Sequence, residues 1–299
     1  MCGIVGLYLK NSALEPALGH HLGSMLVGMS ARGPDSAGIA VYRKPVPAGS
    51  IKLTLFHESD AFDWQALRRA LKTDLKTDAH GEIRGSHYVL VIAAELETVR
   101  SWLAIHHPEL RVMGIGESIE IYKEKGLPKN FVSRFKLDEL SGSHAVGHTR
   151  MATESAITTE HSHPFSTGAD LCLVHNGSLS NHNRWRQKLS RRGIDFQTDN
   201  DTEVAAGYLS WRLNEGDSLR EALEHGLKDL DGFYTFAIGT RLGFAVVRDA
   251  IACKPAVLAE TDDWVAMASE YRSIAPLPGA EAADIWEPEP ETIYTWERA

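Results

Sequence analysis

Cys2 places a thiol one residue after the initiator methionine. A small second residue commonly permits removal of that methionine, leaving a thiol and a free α-amino group on one residue. An α-amino group titrates at roughly 7.7 to 8.0 and a thiol near 8.5, so the amine can take the thiol proton near neutral pH without a histidine. The thiolate is the reactive species. The chemistry on offer is attack on a carbonyl, with base and nucleophile in one residue. Position alone also allows a plainer role, a small buried residue opening a strand. The other two cysteines offer less. Three widely spaced cysteines in 299 residues do not make a disulfide framework. Cys172 lies in an apolar run as a small strand residue.

Attack on a carbonyl needs preorganised donors for the oxyanion. Standing alone, Asn176-Gly177 reads as a hairpin turn, and Arg150 as a surface arginine. Asp201 lies in a helix-start segment, Asn200-Asp201-Thr202-Glu203, where Asn200 or Asp199 can cap. His144, His148, His161, His163 and His175 do not read as a zinc set, since no cysteine lies at ligand spacing, and no metal is expected. A phosphate-binding glycine-rich loop of the usual form is absent from the sequence.

These residues need elements to hold them. Residues 2–9 read as a strand, and Leu18, Leu22, Met25, Leu26 and Met29 recur at helical spacing up to a turn at Arg32-Gly33-Pro34-Asp35-Ser36. A second strand follows at 38–43. Residues 51–118 alternate strand and helix patterns and predict a small β-α-β-α-β module. Beyond His144, apolar strands are expected at 145–148, 171–175, 233–239, 243–248, 264–268 and 292–296. One helix opens at Asp201 and another at Ser218, where Glu221 completes a capping box. Many strands with helices between them imply stacked antiparallel sheets covered by helices, an α+β class.

Composition narrows the function classes. Apolar residues make up 43% of the chain and charged residues 24%, a globular composition. Lys and Arg number 31 against 40 Asp and Glu, a net charge of −9 with no basic stripe, which argues against nucleic acid as a partner. No apolar run approaches the ~20 residues of a membrane helix, and residues 1–9 lack the basic flank of a signal peptide. A cytoplasmic protein with no membrane partner is expected.

Five segments then occur together: Cys2-Gly3-Ile4-Val5-Gly6, Arg32-Gly33-Pro34-Asp35-Ser36-Ala37-Gly38, Gly147-His148-Thr149-Arg150-Met151-Ala152-Thr153, His175-Asn176-Gly177 and Asn200-Asp201-Thr202-Glu203. In this order they resemble the class II glutamine amidotransferases over residues 2–42 and about 120–275. Later segments agree, namely Gly232-Phe233-Tyr234, Val247-Arg248-Asp249 with Lys254-Pro255, and Ala268-Ser269-Glu270. The resemblance implies an N-terminal nucleophile hydrolase, a four-layer αββα fold, with residues 51–118 inserted because the stretch between Arg32 and Arg150 exceeds what compact members need. It implies Cys2, Asn176 and Gly177 as catalytic residues. Arg150, Asp201, Met151 and Ala152 would bind L-glutamine, and Arg32 would brace the loop near the nucleophile.

There are departures. The sugar-phosphate and purine branches commonly carry Trp and His where Met151 and Glu154 stand, and they place a Gly where this chain has Ala250-Ile251-Ala252-Cys253. The pattern is closer to the glutamate-synthase-like branch. The chain ends soon after the glutaminase core, so the expectation is a separate synthase subunit that receives ammonia. The nearest type is the free-standing amidotransferase subunit of N-methylglutamate synthase or glutamate-synthase-like complexes. FMN would belong to that partner, with no cofactor in this chain. Two alternatives stay open: a glutaminase serving a phosphoribosyl or sugar-phosphate amidotransferase, and a non-catalytic, glutamine-binding regulatory subunit.

Overall fold

The computed structural model describes residues 2–152 and 157–298, so Met1, whose removal the chemistry of Cys2 requires, Thr153 of the third motif and Glu154, one of the departures, lie outside the described residues. The first part of the chain forms β1 (Gly3–Leu9), α1 (Leu18–Gly28), β2 (Ser36–Tyr42), β3 (Ile51–Phe56), α2 (Trp64–Asp74), β4 (Ala79–Arg84), β5 (His87–Ile92), α3 (Leu96–His106), β6 (Arg111–Gly116), β7 (Ile119–Lys125) and α4 (Pro128–Arg134). The second part forms β8 (His144–Arg150), β9 (Cys172–Leu179), α5 (His182–Ser190), α6 (Asp201–Asn214), α7 (Leu219–Asp229), β10 (Gly232–Gly239), β11 (Gly243–Arg248), β12 (Val257–Glu260), β13 (Trp264–Ala268), β14 (Asp284–Trp286) and β15 (Ile293–Glu297). The capping box predicted at Ser218 and Glu221 opens α7.

Three antiparallel sheets result. Seven strands run in the order β14-β12-β13-β1-β8-β2-β7, and four in the order β15-β11-β10-β9. Period-two alternation decides which side chains enter which layer. In β1, Val5, Leu7 and Leu9 pack with Leu22, Met25 and Leu26 of α1 on the outer face, while Ile4 and Tyr8 face the other sheet. In β10, Tyr234, Phe236 and Ile238 pack under α5, α6 and α7, while Ala237 turns inward. The layer between the sheets holds Ile4, Tyr42, Val146, Val174, Phe244 and Met267. Helix, sheet, sheet and helix are thus stacked in four layers, as the resemblance implied.

The third sheet, in the order β4-β5-β3-β6, lies wholly within residues 51–116 and has its own apolar cluster against α2 and α3. Its topology corrects the sequence expectation. The order is β-α-β-β-α-β, a split βαβ arrangement, with β4 as the strand that was missed. Residues 80–83 of that edge strand are all exposed, so no apolar alternation announces it.

The face of this sheet turned away from α2 and α3 seals the edge of β7. The hydroxyl of Thr54 accepts from the Ile121 N–H at 3.2 Å, and buried Lys52 donates to Glu120 at 3.1 Å. Phe56 and Met113 enter the layer between the main sheets, and Val89 joins the α1 layer. Deleting residues 51–118 therefore strips buried surface from the two main sheets. We expect the deletion variant to lose more than the ~3–5 kcal/mol that truncating one buried Phe costs, read as a fall in the urea unfolding midpoint. An unchanged midpoint would show that the module is an independent appendage.

Candidate active site

Alternation also gathers the polar residues. Cys2 shares the parity of Ile4 and Tyr8, His148 and Arg150 share that of Val146, and Asn176 shares that of Cys172 and Val174, so all four belong to the side facing the gap between the main sheets. The pairing Gly3↔Thr149, continued by one step, sets Cys2 beside Arg150.

Cys2 is held by its carbonyl oxygen. Arg32 Nε donates to it at 2.9 Å from one side and Asn176 Nδ2 at 3.2 Å from the other. Arg32 is itself fixed by an ion pair with Glu270 at 2.8 Å. The Asn176 amide also donates to Ser269 Oγ at 3.2 Å, and that oxygen accepts from the Ile4 N–H at 2.9 Å. Cys2 Sγ approaches the Met151 carbonyl oxygen at 3.8 Å. The segment after Arg150 is pinned in turn, since Asp35 accepts from the Ala152 N–H at 2.8 Å and donates its own N–H to the Arg150 carbonyl at 3.0 Å. Gly33 permits this close approach, because a Cβ there would collide with the backbone of Thr149 and Arg150.

Gly177 is placed by a different demand. Its φ of +146° lies where side chains are strained, and a Cβ would strike the Phe233 carbonyl oxygen. Gly177→Ala should lower stability by about 1–3 kcal/mol and displace Asn176, measured by urea unfolding together with glutamine turnover. Wild-type values for both would show that the backbone here is not constrained.

Asp201 is brought to the same strand from α6. Asn200, whose side chain accepts from the Thr202 N–H, is the N-cap, so Asp201 is free of that duty. Its Oδ2 accepts from the Leu179 N–H at 2.9 Å, and its Oδ1 lies 3.7 Å from His175 Nδ1. Burial alone raises its pKa, but the His175 contact and the Leu179 hydrogen bond outweigh that and hold the carboxyl at about 2. It is an anion near neutral pH. Arg150 is 6% exposed at the end of β8, and Met151 and Ala152 follow it at the mouth of the gap.

The remaining cysteines are unsuited to catalysis. Cys172 lies in the layer between the sheets against the Tyr42 hydroxyl, and burial pushes its thiol up to about 12. Cys253 is exposed in the loop after β11. Sequence reasoning gave no site role to Asp35, His148, Thr202, Ser269 or Glu270. Each was already inside a segment quoted for the resemblance, which was the available signal.

A family model described as the glutamine amidotransferase domain matches residues 148–276. The chain is 55% identical over 298 residues to the glutamine amidotransferase-like protein GlxB of Rhizobium meliloti, covering 99% of this chain and 98% of that protein. It is 32% identical over 284 residues to a Methanothermobacter thermautotrophicus protein provisionally named a glutamine amidotransferase, covering 92% and 93%. Among solved structures it matches the glutamine phosphoribosylpyrophosphate amidotransferase of B. subtilis, complexed with ADP and GMP. The TM-score there is 0.63 at 20% identity, over 99% of this chain and 47% of that one. That likeness is one of fold, and the chain spans about half the length of that structure. The chain belongs to the class II glutamine amidotransferases, enzymes of the N-terminal nucleophile hydrolase fold.

Proposed function

We propose that this enzyme hydrolyses L-glutamine through a Cys2 thioester and passes the ammonia to a separate synthase subunit, of the glutamate-synthase-like or N-methylglutamate synthase kind. The observation that carries the reading is the double clamp on the Cys2 carbonyl oxygen by Arg32 and Asn176, which fixes the backbone of residue 2 next to the end of β8 where Arg150 stands. In this reading the Cys2 thiolate attacks the carboxamide carbon and the thiol proton passes to the α-amino group. The oxyanion is stabilised by Asn176 Nδ2 and the Gly177 N–H. Collapse expels ammonia with that proton, and water then cleaves the thioester to glutamate. Arg150 takes the glutamine α-carboxylate and Asp201 its α-ammonium group.

The two relatives matched along nearly their whole length carry glutamine amidotransferase or amidotransferase-like names, in keeping with the glutamine-hydrolysing half of this reading. Ammonia released to water would be protonated near neutral pH and lost as a nucleophile, so coupling to an acceptor is the expected arrangement. Any flavin belongs to the synthase partner in this reading. Residues 51–118 are a candidate docking or regulatory surface, and the outward faces of α2 and α3 are the part that can be altered without unsealing β7. No helix among the described residues is long and apolar enough to cross a membrane.

The test is purification of the native complex followed by glutamine turnover with and without the co-purifying subunit. Turnover that is low for the isolated chain and rises on adding that subunit supports the reading, by linkage between the two sites. Full turnover alone, with no co-purifying synthase, contradicts it.

A further inference from the structure

Three histidines lie buried behind Asn176 with neither a metal nor a proton-transfer role in the scheme above. His148 and His163 stack with ring centroids 4.0 Å apart, and Thr202 Oγ1 lies 2.8 Å from His163 Nε2 and 3.0 Å from His175 Nδ1. Of the three, His148 reaches the oxyanion donor directly. Its Nε2 is 3.1 Å from Asn176 Oδ1 and 3.2 Å from the backbone carbonyl oxygen of His175.

A side-chain amide can sit in either of two orientations that differ by exchange of oxygen and nitrogen. The contacts of His148 choose between them. A backbone carbonyl only accepts, so the His148 nitrogen beside the His175 carbonyl must carry the hydrogen. The second group at that nitrogen must then be an acceptor as well, which makes it the oxygen of the Asn176 amide. With Oδ1 committed to His148, Nδ2 is turned toward Cys2 and Ser269. The other ring nitrogen, Nδ1, has no partner among the described residues and needs none as a bare lone pair, though it loses solvation. Burial, with the nearby Arg150 guanidinium and His175 ring, holds this imidazole down to about 3 against the Asn176 hydrogen bond, so it remains a neutral single-proton ring at neutral pH.

We propose that His148 is a positioning residue for glutamine hydrolysis, its Nε2–H locking the Asn176 amide with the donor edge toward the nucleophile. Without that lock the amide can turn its oxygen to the place where negative charge develops, and the oxyanion then meets a lone pair instead of an N–H. The effect falls on the transition state and leaves ground-state binding of glutamine to Arg150 and Asp201 largely untouched. The inference rests on the proposed hydrolysis by Cys2 and Asn176.

The test compares His148→Phe with His148→Gln in the complete chain. Phe keeps the ring that stacks on His163 but has no donor. Gln offers a side-chain N–H in place of Nε2–H. We expect His148→Phe to lower kcat by about 10- to 100-fold with KM changed by less than about threefold, and His148→Gln to recover most of the loss. A merely structural role would make both variants equally impaired, in parallel with their unfolding midpoints. Equal impairment, or a His148→Phe enzyme with wild-type kcat, overturns the inference while leaving Cys2-dependent hydrolysis standing. A parent enzyme with no Cys2-dependent turnover overturns both. The ring nitrogen shifts of His148 in the unmodified protein give a check that needs no variant, because the inference requires the Nε2–H tautomer and an Nδ1–H tautomer refutes it.

Discussion

Asn176→Ala should lower kcat for glutamine hydrolysis by about 10²- to 10³-fold while KM stays within a few fold, the amount that loss of one oxyanion donor costs. The amide has two tasks that this substitution removes together. It donates to the Cys2 carbonyl at 3.2 Å, and in the proposed reaction it meets the oxyanion. The first task is shared with Arg32, whose Nε holds the same oxygen at 2.9 Å, so Cys2 remains tethered in the variant. The kinetic loss therefore belongs mainly to the second. Steady-state kinetics on L-glutamine measure it. A kcat within about threefold of the parent would mean that the charge is stabilised elsewhere.

Asp201→Asn is the sharper probe of substrate recognition, because Asn can keep an oxygen for the Leu179 N–H while losing the charge. An ammonium group left without its counter-ion in a partly desolvated pocket costs roughly 2–5 kcal/mol, about 30-fold to several-thousand-fold in kcat/KM. The loss should appear chiefly in KM for glutamine. The same residue sets a pH signature. Its folded pKa of about 2 lies below that of an unfolded aspartate, so its contribution to stability is present above pH ~4 and is lost as pH falls toward 2. Acid unfolding of the Asp201→Asn variant should accordingly be shallower between those values than that of the parent. A variant with the parent's KM and the parent's acid unfolding curve would remove Asp201 from both roles.

Eight strands of the main sheets, β1, β2, β8 to β11, β13 and β15, were legible in the sequence because they alternate apolar residues between two buried layers, and Val5, Leu7 and Leu9 against Ile4 and Tyr8 state that pattern within one strand, whereas β7, β12 and β14 were not read. Nor was β4, since an edge strand with exposed residues 80–83 carries no such signal. At the site, Cys2 drew attention by its position, while Asn176, Arg150 and Asp201 came from the motifs that carry the family resemblance. Their supports Ser269, Glu270 and His148 were not read. Ser269 meets Ile4 and Asn176 only after β13 has paired with β1, and Glu270 reaches Arg32 from 238 residues away in sequence. His148 reads as one more strand residue until the two sheets face each other, because its partner Asn176 lies on the opposite sheet. Local pattern fixes which face a side chain takes, while the identity of its partner is a property of tertiary packing.

The account rests on Cys2 as an N-terminal nucleophile, and intact-mass and peptide mass spectrometry after treatment with a diazo-ketone glutamine analogue tests it most directly. The account predicts a mature chain lacking Met1 and a single adduct, on Cys2. Cys172 stays unlabelled because burial keeps its thiol protonated and out of reach, and Cys253 because no glutamine site surrounds it. Cys2→Ala should abolish labelling. A retained Met1, or an adduct that persists in Cys2→Ala or forms on Cys172 or Cys253, would contradict the account.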